Sequence, residues 1–107
     1  MADTREKIIK LIKNGEIKIS EHGYDELAAD GITVRDIVTG ILDGVVLEEY
    51  PEYPKGPCVL IMQKDGKGNP IHVVWGIPHN LTSPAVLVTA YRPDPERWVD
   101  GFRRRKQ

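Results

Sequence analysis

The chain has 107 residues, 40% of them hydrophobic and 29% charged, with a formal net charge of −1. That composition fits one globular domain, large enough to fold without disulfides or a structural metal. A lone cysteine, Cys58, excludes an internal disulfide, and short apolar runs such as Val59–Met62 and Ala85–Val88 fall far short of the roughly 20 residues a membrane-spanning helix needs.

Asp3 with Glu6 three residues later forms a capping-box-like helix start, Ile8, Ile9, Leu11 and Ile12 supply an apolar stripe, and Asn14-Gly15 ends the helix. Ile17 and Ile19 alternate with charged residues as a short extended segment. Ser20 is the N-cap of a second helix running to about Asp30, stopped by Gly31. Thr33 caps a third, with Asp36 at its third position, Ile32 and Ile37 as a hydrophobic staple, and Gly44 as its end. From Val45 the period changes to that of strands: Val45–Tyr50, Cys58–Lys64, Ile71–Gly76 and Ala85–Tyr91. Asp65–Pro70 reads as a hairpin loop, and Pro51, Pro54 and Pro57 stiffen the connection before it. Trp98 and Phe102, four apart after Asp94-Pro95, predict a short C-terminal helix. The expectation is an α+β fold in which N-terminal helices pack on a four-stranded, mainly antiparallel sheet, as one domain over residues 1–107.

Charge is unevenly spread. Residues 15–54 set Lys18 and Arg35 against ten acidic residues, whereas residues 55–107 carry nine basic and four acidic ones. The basic end, Arg103-Arg104-Arg105-Lys106 in a tail over 103–107, favours an anionic ligand or simply solvates the terminus. The first residues lack the apolar core of a secretion leader, so the expected compartment is the cytoplasm.

No phosphate loop, dinucleotide glycine pattern, Cys-x-x-Cys, His-Glu-x-x-His or Gly-x-Ser-x-Gly elbow occurs, and the histidines are scattered, so neither a metal nor a cofactor is expected. His22 stands two residues after the Ser20 cap. There the positive end of a helix favours a neutral imidazole, which can serve as a general base, and free amides can receive phosphate. Lys18 adds charge just upstream. The plainer reading has His22 packing at the helix start. In the strands, alternation sets Ile71, Val73 and Trp75 on one face and His72 on the other, and Val86, Val88 and Ala90 against Thr89 and Tyr91. With the helices over the Ile71/Val86 face, His72, Thr89 and Tyr91 share the opposite face, either to cradle an RNA phosphate or merely to face solvent. Tyr50 and Tyr53 can be core or surface, and Cys58 is read as buried.

The ordered strings Ile17–His22, Gly31–Asp36, Gly44–Tyr50, Pro70–Val74 and Thr89–Pro93, followed by Trp98, resemble a bacterial family known mainly as a domain of unknown function. That family is similar to the RelE/BrnT-type toxins of type II toxin–antitoxin pairs, some paired with a zinc-finger antitoxin. The resemblance implies a barnase/RelE-like fold and a metal-independent endoribonuclease acting on RNA, including ribosome-bound mRNA, by 2′-hydroxyl attack. Carried onto this chain, His22, His72 and Tyr91 become the catalytic candidates, with Lys18, Ser20 and Thr89 binding substrate and Arg92 added as a phosphate ligand. Relatives often carry Arg-Gly-Ile before the third helix. This chain has Asp30-Gly31-Ile32, so any role of that arginine is missing. The alternative is a non-catalytic module of the same fold that binds protein or RNA.

Overall fold

The computed structural model describes residues 3–106. Each helix starts at the residue whose side chain caps it. Asp3 accepts the Glu6 amide at 2.8 Å and opens α1, Thr4–Lys13. Ser20 Oγ accepts the Gly23 amide at 2.9 Å and opens α2, Glu21–Asp30, which ends at Gly31. Thr33 accepts the Asp36 amide at 3.1 Å and opens α3, Val34–Gly40. That helix stops earlier than expected. A single 3-10 turn over Ile41–Asp43 carries the chain on to Gly44 and drops Ile41 into the core.

The sheet has five strands rather than four. Between α1 and α2, Ile17–Ile19 form β1, which runs parallel to β5 (Ala85–Tyr91) with Ile17 opposite Ala85. Ile17 and Ile19 pack against the core, and a backbone drawn that close must bond a neighbour. The other strands are β2 (Val45–Tyr50), β3 (Cys58–Lys64) and β4 (Pro70–Gly76), all antiparallel in the order β1-β5-β4-β3-β2.

One face of the sheet meets the three helices. Ile61, Ile71, Val73, Trp75, Ala85 and Leu87 interlock there with Ile8, Ile37 and Ile41. Gln63 is buried on that face with its amide satisfied at both ends: Nε2 donates to the Ile37 carbonyl at 2.8 Å, and Oε1 accepts the Trp75 indole N–H at 3.2 Å.

Two expectations change on the other face. A β-bulge in β5 shifts the register between Val74 and Trp75, so Leu87 pairs with Trp75 and Thr89 with Val74. One extra residue reverses the parity of everything before it. Val86 and Val88 therefore lie opposite the helices, with Thr89 and Tyr91, while Ala85 and Leu87 fill the core. The C-terminal helix is absent. Trp98–Val99 (β6) and Arg104–Arg105 (β7) form an antiparallel hairpin instead. Asp100, Gly101 and Phe102 all take positive φ, of 54°, 68° and 67°, a run no right-handed helix contains. Arg103 to Lys106 thus belong to a folded element, and Gln107 lies outside the described residues.

Candidate functional site

The face of the sheet away from the helices is divided in two. The hairpin covers the half around His72, whose cross-strand neighbours are Met62 and Tyr91. The half around Cys58, Val74, Gly76, Val86 and Val88 floors an open cleft of about 570 Å³.

One wall of the cleft is the start of α2. Ser20 Oγ donates to the Val88 carbonyl at 2.8 Å while accepting the Gly23 amide, and the Ser20 amide donates to the Leu87 carbonyl at 3.0 Å. These bonds seat the helix on the bulged strand. The approach is so close that a Cβ on Gly23 would come within 2.9 Å of the Leu87 carbonyl oxygen. His22, one residue earlier, turns outward. Its side chain is 66% exposed, lines the cleft, and stands 3.5 Å from Glu26 one turn along.

The other wall is the end of β2 and the proline-rich loop after it, with Tyr50, Tyr53 and Lys55. Gly56 makes that wall possible. Its φ is +131°, and a Cβ there would sit 1.9 Å from the Ile77 carbonyl oxygen. The loop is pinned by the His79 amide donating to the Lys55 carbonyl at 2.9 Å and the Ile77 amide to the Pro57 carbonyl at 3.1 Å. Tyr50 also donates its hydroxyl to Glu48, and burial followed by that bond pushes the phenol above its ordinary value. Cys58, on the floor, is a buried free cysteine whose thiol burial pushes above its ordinary value, away from the thiolate.

The sequence-derived candidates separate between these two halves. His22 lies in the cleft. Ser20 lines it too, but its hydroxyl is committed on both sides to backbone. Lys18 is exposed on β1 opposite Val86, at the edge of the cleft side. His72 and Tyr91 do not line the cleft. His72 is fully buried, with Nε2 2.7 Å from the Phe102 carbonyl oxygen and its ring edge-on to Trp98 and Tyr91. Burial pushes its imidazole below the ordinary value, against the opposing pull of the Phe102 bond. Tyr91 is half-buried, and its phenol is pushed up by that burial. Thr89 pairs with Val74 on the same face, outside the cleft lining.

Arg92 does not line the cleft, and its amide, Nε and Nη1 are all engaged elsewhere. Its amide and Nε donate to Asp30 at 2.9 and 3.2 Å, and Nη1 donates to Asp65 at 3.0 Å. Asp65 is held below the usual carboxyl range by the amides of Asn69 and Lys67 as well as by Arg92. The arginine therefore ties the end of α2 to the β3–β4 loop and is unavailable to a ligand in the cleft. Among the described residues, no three His, Cys, Asp or Glu side chains converge as metal ligands do.

Sequence reasoning left Tyr50 and Tyr53 undecided and did not single out Lys55. The available signal was the Pro51, Pro54, Pro57 spacing with Gly56 inside it, since a stiff loop holds its side chains in fixed directions.

A family model described as a domain of unknown function (DUF4258) matches residues 19–92. That span holds both cleft walls and the whole floor, and stops before the C-terminal hairpin. Among curated proteins and among solved structures, nothing matches the chain significantly.

Proposed function

The chain belongs to the DUF4258 family, and from that premise we propose that it is a toxin of the type II toxin–antitoxin kind, cleaving RNA without a metal. The observation that carries this reading is His22: an exposed imidazole at a helix start, on the rim of an apolar cleft whose opposite wall offers Tyr53 and Lys55.

An unpaired base enters the cleft over Val74, Val86 and Val88 and stacks against the tyrosines. The adjoining phosphate then stays at the rim. His22 removes the proton from the ribose 2′-hydroxyl, O2′ attacks phosphorus, and the bond from phosphorus to O5′ breaks. The products are a 2′,3′-cyclic phosphate and a 5′-hydroxyl, whose proton comes from Tyr53. Lys55 stabilises the charge that builds on the phosphoryl oxygens. His72, Tyr91 and Arg92 contribute only indirectly, through the structure they hold. The partner in the cell would be a small antitoxin, of zinc-finger type by the resemblance.

A second reading is supported by the same cleft. Its floor is apolar, and among the described residues one lysine, Lys55, lines it. That suits an apolar segment of a protein partner, bound without chemistry.

The test is incubation of the purified protein with total RNA in EDTA beside His22→Ala. Cleavage by wild type to 2′,3′-cyclic ends, lost in His22→Ala, supports the ribonuclease reading. Equal cleavage by both removes His22 from the chemistry. No cleavage of free RNA or of ribosome-bound message favours the binding reading.

A further inference from the structure

The covered half of the sheet face carries an unusual closure. The hairpin lies on it through three contacts, two of them to one buried histidine and the third to Glu48, braced by a cation over a ring inside the hairpin. The Trp98 ring meets His72 at 4.3 Å between centroids and 89° between planes. The Phe102 carbonyl faces His72 Nε2 at 2.7 Å. Arg105 lies 4.8 Å above the Trp98 ring and forks onto Glu48 of β2 through Nε at 2.7 Å and Nη2 at 3.1 Å. Two of the contacts that bury the histidine, those of Trp98 and the Phe102 carbonyl, come from the hairpin, and the hairpin lies outside the matched family segment.

The chemistry of the ring follows from its partners. A carbonyl can only accept, so Nε2 carries a hydrogen and donates it. Nδ1 is buried with no hydrogen-bond partner among the described residues. A neutral ring tolerates this, because an unprotonated nitrogen has no hydrogen to satisfy. A protonated ring does not: it would bury a second N–H with nothing to receive it, next to a cation.

We propose that the C-terminal hairpin is a proton-released cap, closed over the sheet while His72 is neutral and opened when His72 takes a proton, which uncovers His72 and Tyr91 beside the cleft. The cap works in this way whatever the cleft binds.

The groups that face the ring from each packed element pull both ways, with burial and Arg105 against the charged form and the Phe102 carbonyl and Glu48 for it, and burial is the largest. Arg105 of β7 repels an imidazolium. Glu48 of β2 attracts one, but its carboxylate is already engaged by Arg105 and by the Tyr50 hydroxyl. Tyr91 of β5 is held neutral by burial, and Met62 of β3, directly across from His72, is apolar. Arg105 also holds the Glu48 carboxyl below its usual range, so the ion pair stays charged while the histidine titrates. In the open state the imidazole titrates near its ordinary 6.5, and in the closed state below that. Closure is therefore fully favoured above pH 6.5 and weakens as the pH falls toward the closed-state value. One proton is taken up, so the open-to-closed ratio rises by at most about tenfold per pH unit.

Hydrogen exchange on the full chain at pH 7.5, 6.5 and 5.5, corrected for intrinsic exchange, reads this out. The hairpin amides are those of Arg103 and Lys106, which donate to the Val99 and Arg97 carbonyls. Their protection should fall several-fold between pH 6.5 and 5.5, while the β3 and β4 amides keep theirs. His72→Gln keeps a donor for the Phe102 carbonyl but does not titrate, so its hairpin protection should be flat with pH. Unchanged wild-type protection over this range overturns the proposal, and so does a fall that persists in His72→Gln. Should that variant not fold, the ring protons of His72 in wild type decide. Their titration must share its midpoint with the loss of hairpin protection, and a separation of about one pH unit or more overturns the cap.

Discussion

Ser20→Ala tests how the cleft wall is held. The hydroxyl does two things at once, accepting the Gly23 amide at 2.9 Å and donating to the Val88 carbonyl at 2.8 Å. Loss of an N-cap costs about 1 kcal/mol. Loss of the donor strands a partly buried carbonyl at the β5 bulge, worth about 1 kcal/mol more. The sum of about 2 kcal/mol corresponds to a fall in Tm of roughly 10 °C for a domain of this size. Urea denaturation followed by circular dichroism measures it directly. Ser20→Asp separates the two contributions. A carboxylate can cap Gly23, but it cannot donate to Val88 and would face that carbonyl with negative charge, so the aspartate should not rescue the alanine variant. A loss below about 0.5 kcal/mol in Ser20→Ala, within the range of an ordinary surface change, would refute the double role, and full rescue by Ser20→Asp would refute the Val88 contribution.

Other outcomes follow from the same contacts. His22→Ala should leave stability within about 0.5 kcal/mol, because the side chain is mostly exposed, so any loss of cleavage reports chemistry rather than folding; a large drop in Tm would contradict that. Gly56→Ala forces a Cβ into the Ile77 carbonyl and should cost more than about 3 kcal/mol, or prevent folding; a native-like variant by thermal melt would mean the loop relaxes freely. Arg105→Ala removes a fork onto Glu48 between partly exposed partners and a cation above Trp98, for about 1 kcal/mol. Half a molar salt should shrink that difference, and an effect insensitive to salt would assign it to packing instead.

The helix starts were legible because a cap is a local device. Asp3, Ser20 and Thr33 each bond an amide three residues on, and that spacing is written in the chain. The long strands were legible for the same reason, as runs of β-branched residues between turns. What failed depended on distant neighbours or on a single inserted residue. The β5 bulge has no glycine to mark it, yet it moves Val86 and Val88 from the expected core to the floor of the cleft. Trp98 and Phe102 have helical spacing, but the Asp100-Gly101 pair between them is a turn signal, and it outweighed the spacing. The histidines divided on the same principle. His22 is exposed because it follows a cap, a local fact. His72 is buried because a hairpin thirty residues later folds over it, and strand alternation, which correctly set it on the face away from the helices, says nothing about what covers that face.

The placement of charge limits how RNA can use the cleft. Most of the acidic excess of residues 15–54 lies on outer surfaces, Glu48 is neutralised by Arg105, and the basic C-terminal residues are partly spent on Asp100 and Glu48. Near the cleft the cations are Lys55 in its wall and Lys18 at its edge. A strand tracking a basic groove would contact many phosphates. A base inserted into an apolar cleft brings only the one or two phosphates beside it. For single strands the logarithm of affinity falls with the logarithm of salt with a slope of about −0.7 per contacted phosphate, so two contacts predict a slope near −1.4. Fluorescence anisotropy of a short labelled RNA across a salt series supplies the number. A shallow slope that Lys55→Ala roughly halves supports entry by the base. A slope of about −4 or steeper would mean the RNA lies elsewhere, along the basic hairpin, and no binding at any salt would leave the cleft to a protein partner.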